Sequence, residues 1–203
     1  MNERLAINGG RKTIDYKFNK YFSHDEHELN AAIEVIKSKQ LSGFAAEEGA
    51  EFHGGSKVQE FERLCENKFQ VKHAVAVNSW TSGLICCVGS IDIQPGDEVI
   101  MPTWTMSAGA AAILNWNAIP VFADIDPNTF NICPNSIKKN ISPYTRAIIA
   151  VDIFGQSCDI EEIIDIAKKN NIKVIGDSAQ SPGTKINEKV TGTLCDVGGF
   201  SLN

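Results

Sequence analysis

From position 71 onward, short β-branched runs alternate with helical or turn-rich segments. The runs cover 73–77, 98–101, 119–123, 147–151 and 172–176. They are near-continuously apolar rather than alternating, which suits strands covered on both faces in a mainly parallel α/β sheet. Between the last two, Ile160, Ile163, Ile164 and Ala167 fall at i, i+3, i+4 and i+7. They form one apolar stripe on a helix that Asp159 can cap, with Glu162 at the third position. Ahead of the first run, Leu29, Ala32, Ile33 and Ile36 repeat that spacing, and Val58, Phe61, Leu64 and Cys65 outline a second helix. Residues 1–70 therefore read as an N-terminal helical segment joined by the Gly-rich stretch 41–55, and 71–203 as a sheet domain flanked by helices. Pro95-Gly96-Asp97, Asp126-Pro127-Asn128 and Ser142-Pro143 mark turns, and none has the composition of a linker.

Composition narrows the function. With 203 residues, 43% hydrophobic and 22% charged, the chain is long enough to bury about 70% of its unfolded surface in one core. Its net charge of -6 gives no basic footprint for a phosphate backbone, so nucleic acid is not an expected partner. The most apolar stretch, 108–123, is interrupted by Asn115, Asn117 and Pro120 and reads as a core segment rather than a membrane span. The first ten residues carry no apolar run behind a basic start, so no secretory signal is legible and a cytoplasmic location is expected. The cysteines at 65, 86, 87, 133, 158 and 195 are scattered through apolar segments without a C-x-x-C, which reads as buried reduced thiols rather than disulfides or metal ligands. His24, His27, His53 and His73 form no metal-binding or triad pattern, and His24 and His27 read as a solvated helix start.

In a parallel α/β sheet, ligands collect at the carboxyl ends of the strands. After the run 73–77 comes Asn78-Ser79-Trp80-Thr81-Ser82-Gly83, a hydroxyl-rich turn opening a helix. Its free N–H groups and positive dipole end suit an anion such as a phosphate monoester, although taken alone the turn reads more readily as a plain N-cap. It is neither a P-loop nor a dinucleotide fingerprint. After the run 172–176 comes Asp177-Ser178-Ala179-Gln180-Ser181. A carboxylate held rigidly there can face a cationic heterocycle, with Gln180 in reach of a neighbouring ring substituent, or Asp177 can cap a turn.

Six segments, in order, resemble the DegT/DnrJ-type sugar aminotransferases: Lys72-His73-Ala74-Val75-Ala76-Val77-Asn78-Ser79, Pro95-Gly96-Asp97-Glu98-Val99-Ile100, Pro120-Val121-Phe122-Ala123-Asp124-Ile125-Asp126, Phe154-Gly155-Gln156, Asp177-Ser178-Ala179-Gln180 and Gly199-Phe200-Ser201-Leu202. The resemblance runs from about Leu29 to the last residue. It implies the large domain of a pyridoxal-phosphate transferase of fold type I, with its C-terminal part missing. The implied cofactor is pyridoxal 5'-phosphate, with Asp177 pairing to the pyridine nitrogen, Gln180 beside the ring 3-hydroxyl, Thr81 and Ser82 on the phosphate, and Ser201 also on the phosphate. The implied reaction moves an amino group, from glutamate, to a keto sugar in sugar or polysaccharide biosynthesis, in a cytoplasmic homodimer.

The chain departs from the family pattern in several places. Trp80 stands where the family has a small residue, so its indole must turn away or wall the site. Met106 stands where an aromatic ring stacks on the cofactor, and Trp104 can compensate. Cys195 replaces a common glycine. The Schiff-base lysine of the family comes five residues after the position of Ser201, past Asn203, so no catalytic residue is expected within the chain and the 203-residue piece is expected to be inactive. Lys185 and Lys189 read as hairpin residues. The segments Leu41-Ser42-Gly43-Phe44, Asn78 to Leu84 and Phe200-Ser201-Leu202-Asn203 in combination are also similar to the branch that aminates a keto-octulosonate. The rivals are a sugar 3-dehydratase of the same fold, which has histidine at the lysine position, and a non-catalytic module.

Overall fold

The computed structural model describes residues 4–20, 22–41, 43, 47–49 and 52–202. The chain divides into two compact units, 1–59 and 60–203. In the first, the spacing of Leu29 to Ile36 produces α1 (Glu26–Ser38). Asp25 accepts the His27 N–H at 2.8 Å and Glu28 accepts the Asp25 N–H at 2.7 Å, a capping box that satisfies donors the helix cannot satisfy itself. Ser42, Phe44, Ala45, Ala46, Ala50 and Glu51 of the Gly-rich stretch lie outside the described residues. The boundary between units falls within α2 (Ser56–Phe69), the helix outlined by Val58, Phe61, Leu64 and Cys65.

The second unit is the α/β sheet. After α3 (Trp80–Ser90), β1 (Glu98–Pro102), α4 (Ala108–Asn115), β2 (Ile119–Ala123), α5 (Pro134–Asn140), β3 (Thr145–Val151), α6 (Ile160–Asn170) and β4 (Lys173–Asp177) follow in alternation. A two-stranded hairpin, β5 (Lys185–Ile186) and β6 (Lys189–Val190), precedes β7 (Val197–Gly199). The five main strands are parallel in the order β2-β1-β3-β4-β7. Successive side chains of a strand point to opposite faces, and the core divides accordingly. Val99, Met101, Ile149 and Ile175 join Leu84, Val88 and Ile113 of α3 and α4. Ile100, Ile148 and Val174 join Ile137, Ile160, Ile163 and Ile166 of α5 and α6. The mainly parallel sheet flanked by helices is therefore present, with β2 exposed because it is an edge.

Three local expectations differ from the structure. The run 73–77 forms no strand: the Ala76 N–H donates to Glu62 Oε1 at 2.8 Å and the Ala74 N–H to Glu66 Oε1 at 3.3 Å. Side chains of α2 thus take the donors a neighbouring strand would take. Asp159 makes no side-chain cap on α6, and Glu162, its expected capping-box partner, pairs instead with Lys138 of α5 at 2.7 Å. The thiols are all unpaired, yet Cys86 is exposed beside buried Cys87, since neighbours on a helix point about 100° apart. The glycine-rich strand β7 carries no apolar run to announce it. A Cβ at Gly198 would lie 2.3 Å from Gly192 O and 2.7 Å from Gly176 O, so its glycines serve close backbone packing.

Candidate active site

The parallel order has a switch point between β1 and β3, where crossovers leave in opposite directions and open a crevice at the carboxyl ends. The segments after β1, β3, β4 and β7, and the start of α3, supply the polar groups there. Asp177 is the last residue of β4 and 7% exposed. Its Oδ1 accepts two N–H groups, the Trp80 indole Nε1 at 2.6 Å and the Ala179 backbone at 3.1 Å. No described residue donates to Oδ2. Burial raises the Asp177 carboxyl above its ordinary value, the Ala179 and Trp80 donors pull it down, and the Asp152 carboxylate raises it further.

Behind Asp177 sits a buried network that sequence reasoning missed. Asp152, 3% exposed, accepts Ser178 Oγ at 2.5 Å on one oxygen and the Cys158 N–H at 2.9 Å on the other. Its own N–H donates to Asp177 O at 2.9 Å, and its carbonyl accepts Ser181 Oγ at 2.8 Å. Residues 152–154 thereby form a template for 177–181. The signal was an acid directly after the apolar run 147–151. Two residues further, the Phe154 N–H donates to Gln180 Oε1 at 3.2 Å. That fixes which way the amide points and keeps its Nε2 hydrogens for another acceptor. Phe154 does this from a left-handed backbone, φ 53°, and is exposed, the kind of locally strained residue that clusters at sites.

Trp80 opens α3, so Thr81 and Ser82 sit on its first turn. Ser79 is the N-cap: its hydroxyl accepts the Ser82 N–H at 3.1 Å and donates to Ser82 Oγ at 3.1 Å. The turn is thus a capped helix start, joined through Trp80 to Asp177. The Ser178 N–H donates to Gly199 O at 3.0 Å, which brings the strand leading to Ser201 beside the same loop. Trp104 and Met106 lie on the segment after β1, 53% and 68% exposed. The Trp104 ring is 6.4 Å from that of Phe130, and no hydrogen bond or ring contact joins Trp104 to the Asp177 group among the described residues. Burial pushes the Cys87 thiol up to about 11 and the Cys195 thiol to about 12, so neither is a nucleophile at neutral pH. Lys185 and Lys189 lie in the β5–β6 hairpin, as expected. Among the described residues no His/Cys/Asp/Glu group could hold a metal, and no helix is long and apolar enough to cross a membrane.

A buried acid at a strand's carboxyl end, an oriented amide three residues on, and a hydroxyl-rich helix start thus meet at one end of a parallel α/β domain. The chain belongs to the DegT/DnrJ/EryC1/StrS aminotransferase family, whose pattern it matches over residues 26–203. It is 40% identical over 177 residues to the spore coat polysaccharide biosynthesis protein SpsC of Bacillus subtilis, covering 87% of this chain and 43% of SpsC. It is 42% identical over 148 residues to the dTDP-3-amino-3,6-dideoxy-alpha-D-galactopyranose transaminase of Aneurinibacillus thermoaerophilus, covering 73% of this chain and 41% of the enzyme. The crystal structure of an aminotransferase from Psychrobacter cryohalolentis superimposes with a TM-score of 0.82 at 30% identity, covering 91% of this chain and 44% of that one. The chain spans less than half the length of these relatives. Among the structural neighbours, a sugar aminotransferase of Streptococcus pneumoniae, at a TM-score of 0.80 and 25% identity over 89% of this chain and 47% of that one, has been solved in PLP and PMP forms. Another neighbour is a GDP-4-keto-6-deoxymannose-3-dehydratase, at 0.78 and 27% over 88% of this chain and 45% of that one.

Proposed function

We propose that the full-length protein is a pyridoxal-phosphate-dependent sugar aminotransferase. The observation that carries the reading is the 2.6 Å contact between Asp177, at the end of β4, and the residue that opens α3 beside Thr81 and Ser82. One ligand with a cationic ring nitrogen and an anionic tail suits both groups. The residues fit the cofactor on chemistry too: a buried carboxylate with no cationic partner in contact among the described residues, an amide with unspent donors, and a helix start that favours anions. When bound, pyridoxal phosphate supplies the electron sink through which an amino group is carried between donor and acceptor.

In this reading Asp177 accepts a charge-assisted hydrogen bond from the ring nitrogen and holds the proton on that nitrogen. Gln180 donates from Nε2 to the oxygen at ring position 3. Thr81, Ser82 and Ser201 hold the phosphate, aided by the positive end of α3. Trp80 walls the nitrogen end, and Met106 covers the ring face from the segment after β1. The amino donor is glutamate and the acceptor a keto sugar, nucleotide-linked or a keto-octulosonate. The reading includes a cytoplasmic homodimer with residues 71–203 as part of the cofactor domain.

The test uses the full-length protein. Asp177→Asn is expected to abolish single-turnover amino transfer while circular dichroism and melting stay those of a folded protein; near-normal transfer would overturn the role of Asp177. The residue five positions after Ser201 tests the reaction class, lysine agreeing with amino transfer and histidine with sugar dehydration.

A further inference from the structure

The indole of Trp80 is seated by design of the backbone around it. A Cβ at Gly199 would lie 2.3 Å from the indole and one at Gly83 would lie 2.6 Å from it. Two glycines from different elements, β7 and α3, therefore vacate the space the ring fills. So placed, Nε1–H meets Asp177 Oδ1 at 2.6 Å, a short contact of the kind expected when the acceptor is ionised. The Ala179 N–H occupies the same oxygen at 3.1 Å. A carboxylate with two donors on one oxygen cannot rotate freely about its Cβ–Cγ bond, and its second oxygen is the one left to accept.

Resting on the aminotransferase reading above, we propose that Trp80 is a positioning residue for Asp177. Its indole N–H locks Oδ1, with the Ala179 N–H, and so presents Oδ2 to the nitrogen of the bound cofactor ring. The same residue begins α3, two positions from Ser82. The grip on the anionic tail and the orientation of the acid are thereby built on one rigid helix start. Removing the indole donor takes a stabilising bond from the ionised carboxyl, so the pH at which Asp177 takes up its proton rises. The groups facing Asp177 in this balance are the Ala179 and Trp80 N–H donors, the Asp152 carboxylate and, from α3, the Cys87 thiol, which stays neutral because burial and the Asp177 charge push it up to about 11.

The first measurement needs no activity. In cofactor-free full-length protein labelled with ¹⁵N-tryptophan, the Trp80 indole N–H resonance, assigned by its loss in Trp80→Phe, is expected downfield and slow to exchange. It is expected to shift upfield in Asp177→Ala and to stay in place when pyridoxal phosphate is added. An indole signal indifferent to Asp177→Ala, or one that moves to the position of a water-exposed indole on adding the cofactor, would overturn the proposal. The second measurement is pyridoxal phosphate affinity against pH. Trp80→Phe, which keeps an aromatic ring in the seat, is expected to weaken binding roughly ten-fold, the size of one lost charge-assisted hydrogen bond, and to move the acid limb of binding to higher pH. Unchanged affinity and an unchanged limb would again overturn it. Asp177→Asn separates the two levels: if it loses affinity while Trp80→Phe does not, only the positioning role fails, and if it loses none, the cofactor reading itself fails.

Discussion

Asp177 holds its charge against its surroundings. Burial and the nearby Asp152 carboxylate together outweigh the two N–H donors, so its carboxyl is raised above the ordinary value of 3.8. A carboxyl raised on folding contributes stability in full below its unfolded value and loses it as pH rises through the folded one. At neutral pH the ionised group therefore makes the protein less stable than a neutral one of the same shape. Cofactor-free full-length Asp177→Asn is expected to melt above wild type near pH 7, with the difference narrowing as pH falls toward 3.8. An equal or lower melting temperature at neutral pH would mean that the donors on Oδ1 outweigh burial. The acid was legible in the sequence as a carboxylate ending an apolar run. Its partner Trp80, 97 positions away, was legible only as an oddity at a place where a small residue is usual.

Among the elements, the apolar runs at 98–101, 119–123, 147–151 and 172–176 became β1 to β4 because β-branched residues suit strands covered on both faces. The run at 73–77 has the same composition and forms no strand, because pairing needs a neighbour as well as a pattern. Strand β7 is the converse. Its residues Val197, Gly198 and Gly199 carry little hydrophobic signal, yet it pairs with β4 from Ile175↔Val197 to Asp177↔Gly199. Gly198 permits this through its closeness to Gly192 O and Gly176 O, 2.3 and 2.7 Å from where a Cβ would lie. Both neighbours are backbone atoms and cannot swing aside, so Gly198→Ala is expected to destabilise the full-length protein by about 1–3 kcal/mol, the usual range for forced overpacking. Urea unfolding checks this, and a loss within ~0.3 kcal/mol would show that β7 can shift without consequence.

At the scale of the whole molecule, apolar side chains remain on the surface of each unit taken by itself. In 1–59 they include Leu29 and Ile36 of α1, 59% and 66% exposed; in 60–203 they include Val75, Phe154 and Leu202, 79%, 69% and 76% exposed. Exposed large apolar side chains favour association where they adjoin. Residues 1–203 expressed alone are expected to elute as large aggregates in size exclusion and to bind a hydrophobic dye, whereas the full-length protein elutes as a discrete species. A monodisperse, dye-silent 203-residue chain would contradict this. The sequence by itself determined what depends on local pattern: the four apolar runs that became β1 to β4 of a parallel sheet, the helices between them, and that hydroxyls at 79, 81 and 82 and an acid at 177 sit at the ends of such elements. Tertiary structure alone decided that Trp80 reaches Asp177, that Asp152 underlies the 177–181 loop, and that Gln180 is turned by the Phe154 N–H. These are hydrogen bonds between residues 26 to 97 positions apart, and their short range means that only the folded path of the backbone, not the order of residues along it, can bring the partners within reach.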